Sequence, residues 1–100
     1  MRSGLPVTEK RILQLVLERD PFDRILAGKK AKEFRDITDY WKARLESRDY
    51  DVVRFRNGYL RGAREIDIQF RGTRKNKKLG RYEIGLGKIL KKRNLRHKGQ

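Results

Sequence analysis

Residues 22–35 set the frame for the rest of this chain: Phe-Asp-Arg-Ile-Leu-Ala-Gly-Lys-Lys-Ala-Lys-Glu-Phe-Arg. Phe22, Ile25 and Leu26 recur at i, i+3, i+4 and form one apolar helical face. Asp20-Pro21 supplies a helix start, with Asp20 as N-cap and Pro21 at the first helical position. Asp23 puts a carboxylate in the first turn, where the helix dipole favours it. Gly28 ends the helix, because the left-handed C′ conformation is cheap only without a Cβ. A helix of about two turns does not hold alone, so it must lean on a sheet. Its neighbours provide one. Residues 11–18 alternate, with Leu13, Leu15 and Leu17 on one face and Ile12 and Val16 on the other, as in a strand covered on both sides. Residues 31–36 read as a second strand, with Phe34 expected inward beside Lys32 while Glu33 and Arg35 share the opposite face.

A second helix follows, capped by Asp36 or Thr38, with Ile37, Trp41 and Leu45 on one side and an end near Ser47. Trp41 is expected in the core, with Tyr40 as a candidate cleft residue. Residues 50–56 return to strand, Val53 and Phe55 alternating with Arg54 and Arg56. Asn57-Gly58 signals a tight turn, and Gly62 lengthens the loop. The cleanest alternation is at 63–71: Ile66, Ile68 and Phe70 inward, Glu65, Asp67, Gln69 and Arg71 outward. Residues 72–80 read as a basic loop. Tyr82, Ile84 and Leu86 make the last strand, with Gly85 and Gly87 allowing close backbone approach and 88–90 as an optional extension. Five to six strands in a chain of 100 residues would best close on themselves, since closure removes exposed edges. The expectation is an α+β fold: a small mixed β-barrel with two short helices at its side. Residues 1–9 would be a flexible arm, 10–90 the domain and 91–100 a basic, disordered tail.

Charged residues make up 41% of the chain and apolar ones 36%, so burial must come from a few well-patterned elements. Cysteine is absent and the lone histidine, His97, sits in the basic tail, so no metal site and no cofactor are expected. No leader or membrane-length apolar run is visible, which points to a soluble, cytoplasmic chain with no membrane partner. The net charge is +15, and residues 71–100 hold twelve Lys/Arg against the single acid Glu83. That asymmetry favours a polyanion, and nucleic acid is the commonest one.

Candidate contacts fall in three groups. Lys29 and Lys30 follow the Gly28 turn; Lys30 can bind phosphate as a point charge or, if desolvated, serve as a general base. Arg35 can bind phosphate or a base edge while Glu33 orients Lys30, although the two also suit a plain ion pair. Strict alternation puts Lys30 opposite Glu33, so the three converge only if the turn rotates Lys30. Arg54, Arg56, Asn57 and Tyr59 form a second wall, with Tyr59 able to stack on a base and Asn57 to bond its edge. Arg74, Lys75, Lys77 and Lys78 suit backbone phosphates without reading sequence.

Ile25-Leu26-Ala27-Gly28-Lys29-Lys30 followed by Glu33-Phe34-Arg35 resembles the signature of the ASCH domain family, small relatives of the PUA RNA-binding barrel. Tyr40-Trp41, the run Val53-Arg54-Phe55-Arg56-Asn57-Gly58-Tyr59 and the closing Tyr82-Glu83-Ile84-Gly85-Leu86-Gly87 also look like small stand-alone bacterial and phage members. The likeness spans roughly residues 11–90. It implies a PUA-like barrel with a cleft at the Gly-Lys turn and RNA-related roles: binding RNA or single strands, cleaving RNA, or hydrolysing the acetyl amide of N4-acetylcytidine. The amidohydrolase type resembles Gly-x-Lys-Thr-x-Thr-x-Arg; Lys30 matches its lysine, but Ala31 and Glu33 stand at the threonine positions, which removes the hydroxyl nucleophile. Binding of RNA or single-stranded nucleic acid by a monomer is therefore the first expectation. A metal-independent hydrolase using Lys30, Glu33 and Tyr59 is the second. A phage or mobile-element accessory protein that binds an acidic host protein is the third.

Overall fold

Period-two patterning dominates the chain, and the computed structural model, which describes residues 10–95, is built mostly of strand. The expected N-terminal arm, His97 and the end of the basic tail lie outside the described residues. The elements are β1 (Ile12–Leu17), α1 (Arg19–Leu26), β2 (Lys32–Asp36), α2 (Asp39–Leu45), β3 (Val52–Asn57), β4 (Glu65–Asn76) and β5 (Arg81–Arg93). They form one sheet in the order β1-β3-β4-β5-β2, with β1 and β3 parallel and all other pairs antiparallel. The sheet curls into a half-barrel, and among the described residues β1 and β2 remain its unpaired edges. The fold is thus α+β and barrel-like without backbone closure. No helix among the described residues is long and apolar enough to cross a membrane.

The core lies inside the curl. Leu13, Leu15 and Leu17 of β1 meet Val53 and Phe55 of β3, Ile66 and Ile68 of β4, and Tyr82, Ile84 and Leu86 of β5. Phe22 and Ile25 of α1 and Leu45 of α2 complete it. Each such side chain removed from water stabilises the fold by about 1.5–3 kcal/mol.

Several boundaries differ from the sequence reading. The first helix starts at Arg19 rather than at Pro21, with Phe22 N–H donating to Glu18 O at 3.2 Å. Pro21 is tolerated there because first-turn N–H groups have no helical partner to lose. Asp20 therefore sits within the first turn and Glu18 takes the cap position without a side-chain bond. The helix end is as expected: Gly28 adopts φ +74°, its N–H donates to Ile25 O, and Lys29 N–H donates to Arg24 O, the paired bonds of a Schellman stop. Of the two caps considered for α2, Thr38 is the one used, its Oγ1 accepting from Trp41 N–H at 3.2 Å. Trp41 is only partly buried, against the edge of the core. Residues 72–76, read as loop, continue β4, and the basic turn shrinks to 77–80. Lys91, Lys92 and Arg93, read as tail, continue β5. In both places the strand is carried by the β4–β5 ladder itself, which bonds backbone groups whatever the side-chain polarity.

The parity of β2 is also the reverse of the expected one. Glu33 pairs with Ile84 and Arg35 with Tyr82, so both lie on the inner face, while Lys32 and Phe34 point outward beside Gly85 and Glu83. Glu33 is buried at 5% exposure, and Phe34 is covered on the outside by the Arg81 guanidinium, 3.9 Å from its ring centre.

The outer face of β3, β4 and β5 carries an ion ladder in place of a solvated surface. Asp67, outward as expected but only 7% exposed, accepts from Arg54 Nε at 2.8 Å and Nη2 at 3.1 Å, and from Arg93 Nη2 at 2.6 Å. Arg93 Nε donates to Glu65 Oε1 at 2.8 Å, and Arg56 Nη1 to Glu65 Oε2 at 3.2 Å. Burial pushes the Asp67 carboxyl up, but the bonds from Arg54 and Arg93 outweigh it and leave the group below its ordinary value. Glu65 is held low chiefly by its bond from Arg93. Carboxylates with depressed folded pKa values stabilise fully above their unfolded values, roughly pH 4, and lose that contribution as pH falls further. Urea midpoints are accordingly expected to stay level down to about pH 5 and to drop below about pH 4. Asp67→Ala, which strands Arg54 and leaves Arg93 with Glu65 alone, should cost about 2–3 kcal/mol at pH 7 and flatten the acid limb. An acid limb of unchanged depth in the variant would contradict this assignment.

Candidate functional site

The residues nominated around the Gly28 turn do converge, but on one another. The turn brings Lys30 Nζ to 2.7 Å from Glu33 Oε1, an oxygen that accepts no aligned hydrogen bond and is compensated by this charge. Arg35 Nη1 donates to Glu33 Oε2 and, at 2.8 Å, to Phe34 O. Arg35 Nη2 donates to Val16 O at 3.2 Å. That last bond joins β2 to β1, the two edges that backbone hydrogen bonding leaves open. Arg35 thus laces the seam of the half-barrel with its side chain. Lys29, by contrast, is exposed.

Glu33→Ala would leave two cations facing each other at this seam, at an expected cost of about 2–3 kcal/mol in a urea titration. Arg35→Lys should be nearly as harmful, because one ammonium cannot replace a fork that reaches Glu33, Phe34 O and Val16 O together. A stability loss confined to Glu33→Ala would show that the lacing by Arg35 is not structural.

Beside the lacing lies a cleft of about 570 Å³. Its walls come from β1 (residues 14–17), the start of α1 (Glu18, Pro21), Arg35, Tyr40 and Trp41 of α2, and Tyr59. Trp41 meets Tyr40 edge-on at 4.9 Å between ring centres, and the Arg35 guanidinium lies 5.3 Å from the Trp41 ring. Tyr40 and Tyr59 are 55% and 84% exposed, so two aromatic faces remain open to a ligand. Of the five N–H donors of Arg35, three are engaged by Glu33, Phe34 and Val16, and the other two have no partner among the described residues. Arg35 and Tyr59 therefore share one concavity, whereas Lys30 and Glu33 do not line it.

The Arg-Asn-Gly-Tyr run is what displays Tyr59. Arg56 Nε donates to Gly58 O at 3.2 Å and Nη2 to Leu60 O at 2.5 Å. Asn57 Nδ2 donates to Leu17 O at 3.1 Å, and its Oδ1 accepts from Arg64 Nε and Nη2 at 3.2 and 2.9 Å. Gly58 takes φ +92°, which a residue with a Cβ rarely adopts. Arg54, Arg56 and Asn57, nominated as ligand contacts, thus hold internal partners, and the last two position the loop that carries Tyr59.

A second concavity, of about 520 Å³, was not foreseen. Tyr82 OH donates to Glu46 Oε2 at 2.6 Å, and Lys75 Nζ lies 2.9 Å from the same oxygen. The Tyr82 bond, with Lys75 adding to it, holds Glu46 below its usual value, while burial pushes the Tyr82 phenol up to about 12. Tyr82 is a standing hydrogen-bond donor here, not a base. Ser47 at the rim takes φ +60°, a costly conformation for a residue with a Cβ. Thirty-six residues separate Glu46 from Tyr82, so no local pattern could announce the pair. Of the remaining nominees, Arg74 lies on the outer face of the hairpin, and Lys77 and Lys78 are exposed in its turn.

Against protein-family models, curated proteins and solved structures alike, the chain has no match.

Proposed function

We propose that this chain is an ASCH-like module that binds single-stranded nucleic acid, RNA first, by taking an unpaired base into the cleft at the open seam. One observation carries the reading: two exposed tyrosines and Trp41 surround a guanidinium with free donors, on a chain of net charge +15. Single strands are held by aromatic platforms within a positive field, and stacking tolerates any base because every base has a π-face. Arg35 supplies donors for a base carbonyl, and Glu18 supplies an acceptor for an exocyclic amine. Binding is favoured over hydrolysis because Lys30, Glu33 and Tyr59 do not gather in one cavity, and Lys30 is neutralised by Glu33.

Trp41 is the only tryptophan in the chain, so its fluorescence reports on the cleft directly. A single-stranded oligonucleotide at low salt should quench it saturably. Tyr59→Ala, a change at an exposed loop tip, should weaken binding by roughly 5- to 150-fold, corresponding to about 1–3 kcal/mol per stacked base. Emission that stays constant while anisotropy reports binding would move the site elsewhere, and no binding at all would sink the reading.

A further inference from the structure

The outer face of the sheet divides into two parts of opposite character. Over β3 and β4 the ladder of Arg54, Arg56 and Arg93 is matched by Asp67 and Glu65. Over β2, β5 and the far half of β4 the matching fails. There, a depression of about 240 Å³ is lined by Lys32, Arg71, Arg74, Glu83 and Gly85 among others. Glu83 is its one carboxylate, and it is already shared: Asn76 Nδ2 donates to it at 3.0 Å, Lys32 Nζ lies at 3.7 Å and Arg81 Nη2 at 3.6 Å. Arg71 and Arg74 are exposed, and neither has a carboxylate within ion-pair distance among the described residues.

Arg71 is also seated. A Cβ at Gly85 would stand 3.2 Å from Arg71 Cβ, and one at Gly87 would stand 2.8 Å from Arg71 Cδ. The stem therefore lies across β5 in the space that the two glycines leave, and the guanidinium beyond it is exposed. Two planar forks beside an ammonium, with a single oversubscribed carboxylate, form a receptor for a multiply accepting anion. The depression has no free apolar anchor, since its aromatic neighbour Phe34 is capped by Arg81. Protein partners bind through buried aromatic or aliphatic anchors, whereas a phosphate backbone needs only placed cations.

We infer that this depression is a phosphodiester site, through which Arg71 and Arg74 hold the backbone of the single strand whose base enters the cleft. The inference rests on the nucleic-acid reading above. It divides the work between two faces: the seam takes a base, and the outer face takes charge without reading sequence.

The test is the salt dependence of oligonucleotide binding, followed by anisotropy with an oligouridine and an oligoadenosine of equal length. Arg71→Gln/Arg74→Gln keeps the Cβ and Cγ methylenes of each stem and removes two charges. Its log-affinity against log-salt slope should be shallower by about 1.4, from roughly 0.7 per single-strand phosphate contact, equally for both sequences. The charge-matched Arg24→Gln/Lys42→Gln, on exposed positions of α1 and α2, should retain the wild-type slope. Equal slopes for the wild type and the first variant would overturn the inference while leaving the nucleic-acid reading intact, and would turn attention to an acidic protein for this face. Equal losses in the two variants would also overturn it, as an effect of net charge alone. A wild type that does not bind would overturn both readings.

Discussion

A shortage of carboxylates governs this molecule. Twenty-eight basic side chains face thirteen acidic ones, and folding a five-stranded sheet from such a chain forces many of the cations against backbone and core. An isolated charge cannot be taken out of water cheaply, so carboxylates drawn wholly or partly into the fold are shared. Asp67 serves Arg54 and Arg93, Glu65 serves Arg56 and Arg93, Glu33 serves Lys30 and Arg35, and Glu46 serves Lys75 and the Tyr82 hydroxyl. The first two pairings tie β3, β4 and β5 together on the outside, and the third laces the barrel seam from within.

The same networks shape the surface that is left. Arg56 anchors the ladder with one nitrogen and the loop carbonyls of Gly58 and Leu60 with the others, so the strand and the display of Tyr59 are set together. Arg35 spans the seam and still turns donors toward the cleft beside Trp41. At Arg71 and Arg74 no acid among the described residues lies within ion-pair distance, and it is there that a phosphate is proposed to bind. Arginines that look alike along the chain thus differ in purpose according to the acid opposite them.

Much of this architecture is legible in the chain. The strand patterns of 11–18, 50–56 and 63–71, the Gly28 stop and the Thr38 cap follow from local rules that the tertiary structure does not override. The parity of β2 does not, because Glu33 and Arg35 enter the interior as a neutralised pair and hydropathy treats each as a lone charge. The length of the β4–β5 hairpin is hidden for a related reason: a ladder between two strands can carry Arg74, Lys75 and Lys91 through regular structure without an apolar face. Of the site, Arg35 and Tyr59 were readable from their motifs. The structural duties of Arg54, Arg56 and Asn57 depend on partners in other strands or loops, and the Glu46–Tyr82 pair on a contact across 36 residues.

Nitrogen-15 chemical-shift mapping during an oligonucleotide titration separates the arginines that hold the fold from those that bind. The Trp41 indole, the Tyr59 amide and the Arg71 and Arg74 signals should move, with the Arg54 and Arg93 Nε–H resonances staying in place. Movement of Arg54 and Arg93 with a silent Trp41 would contradict this division.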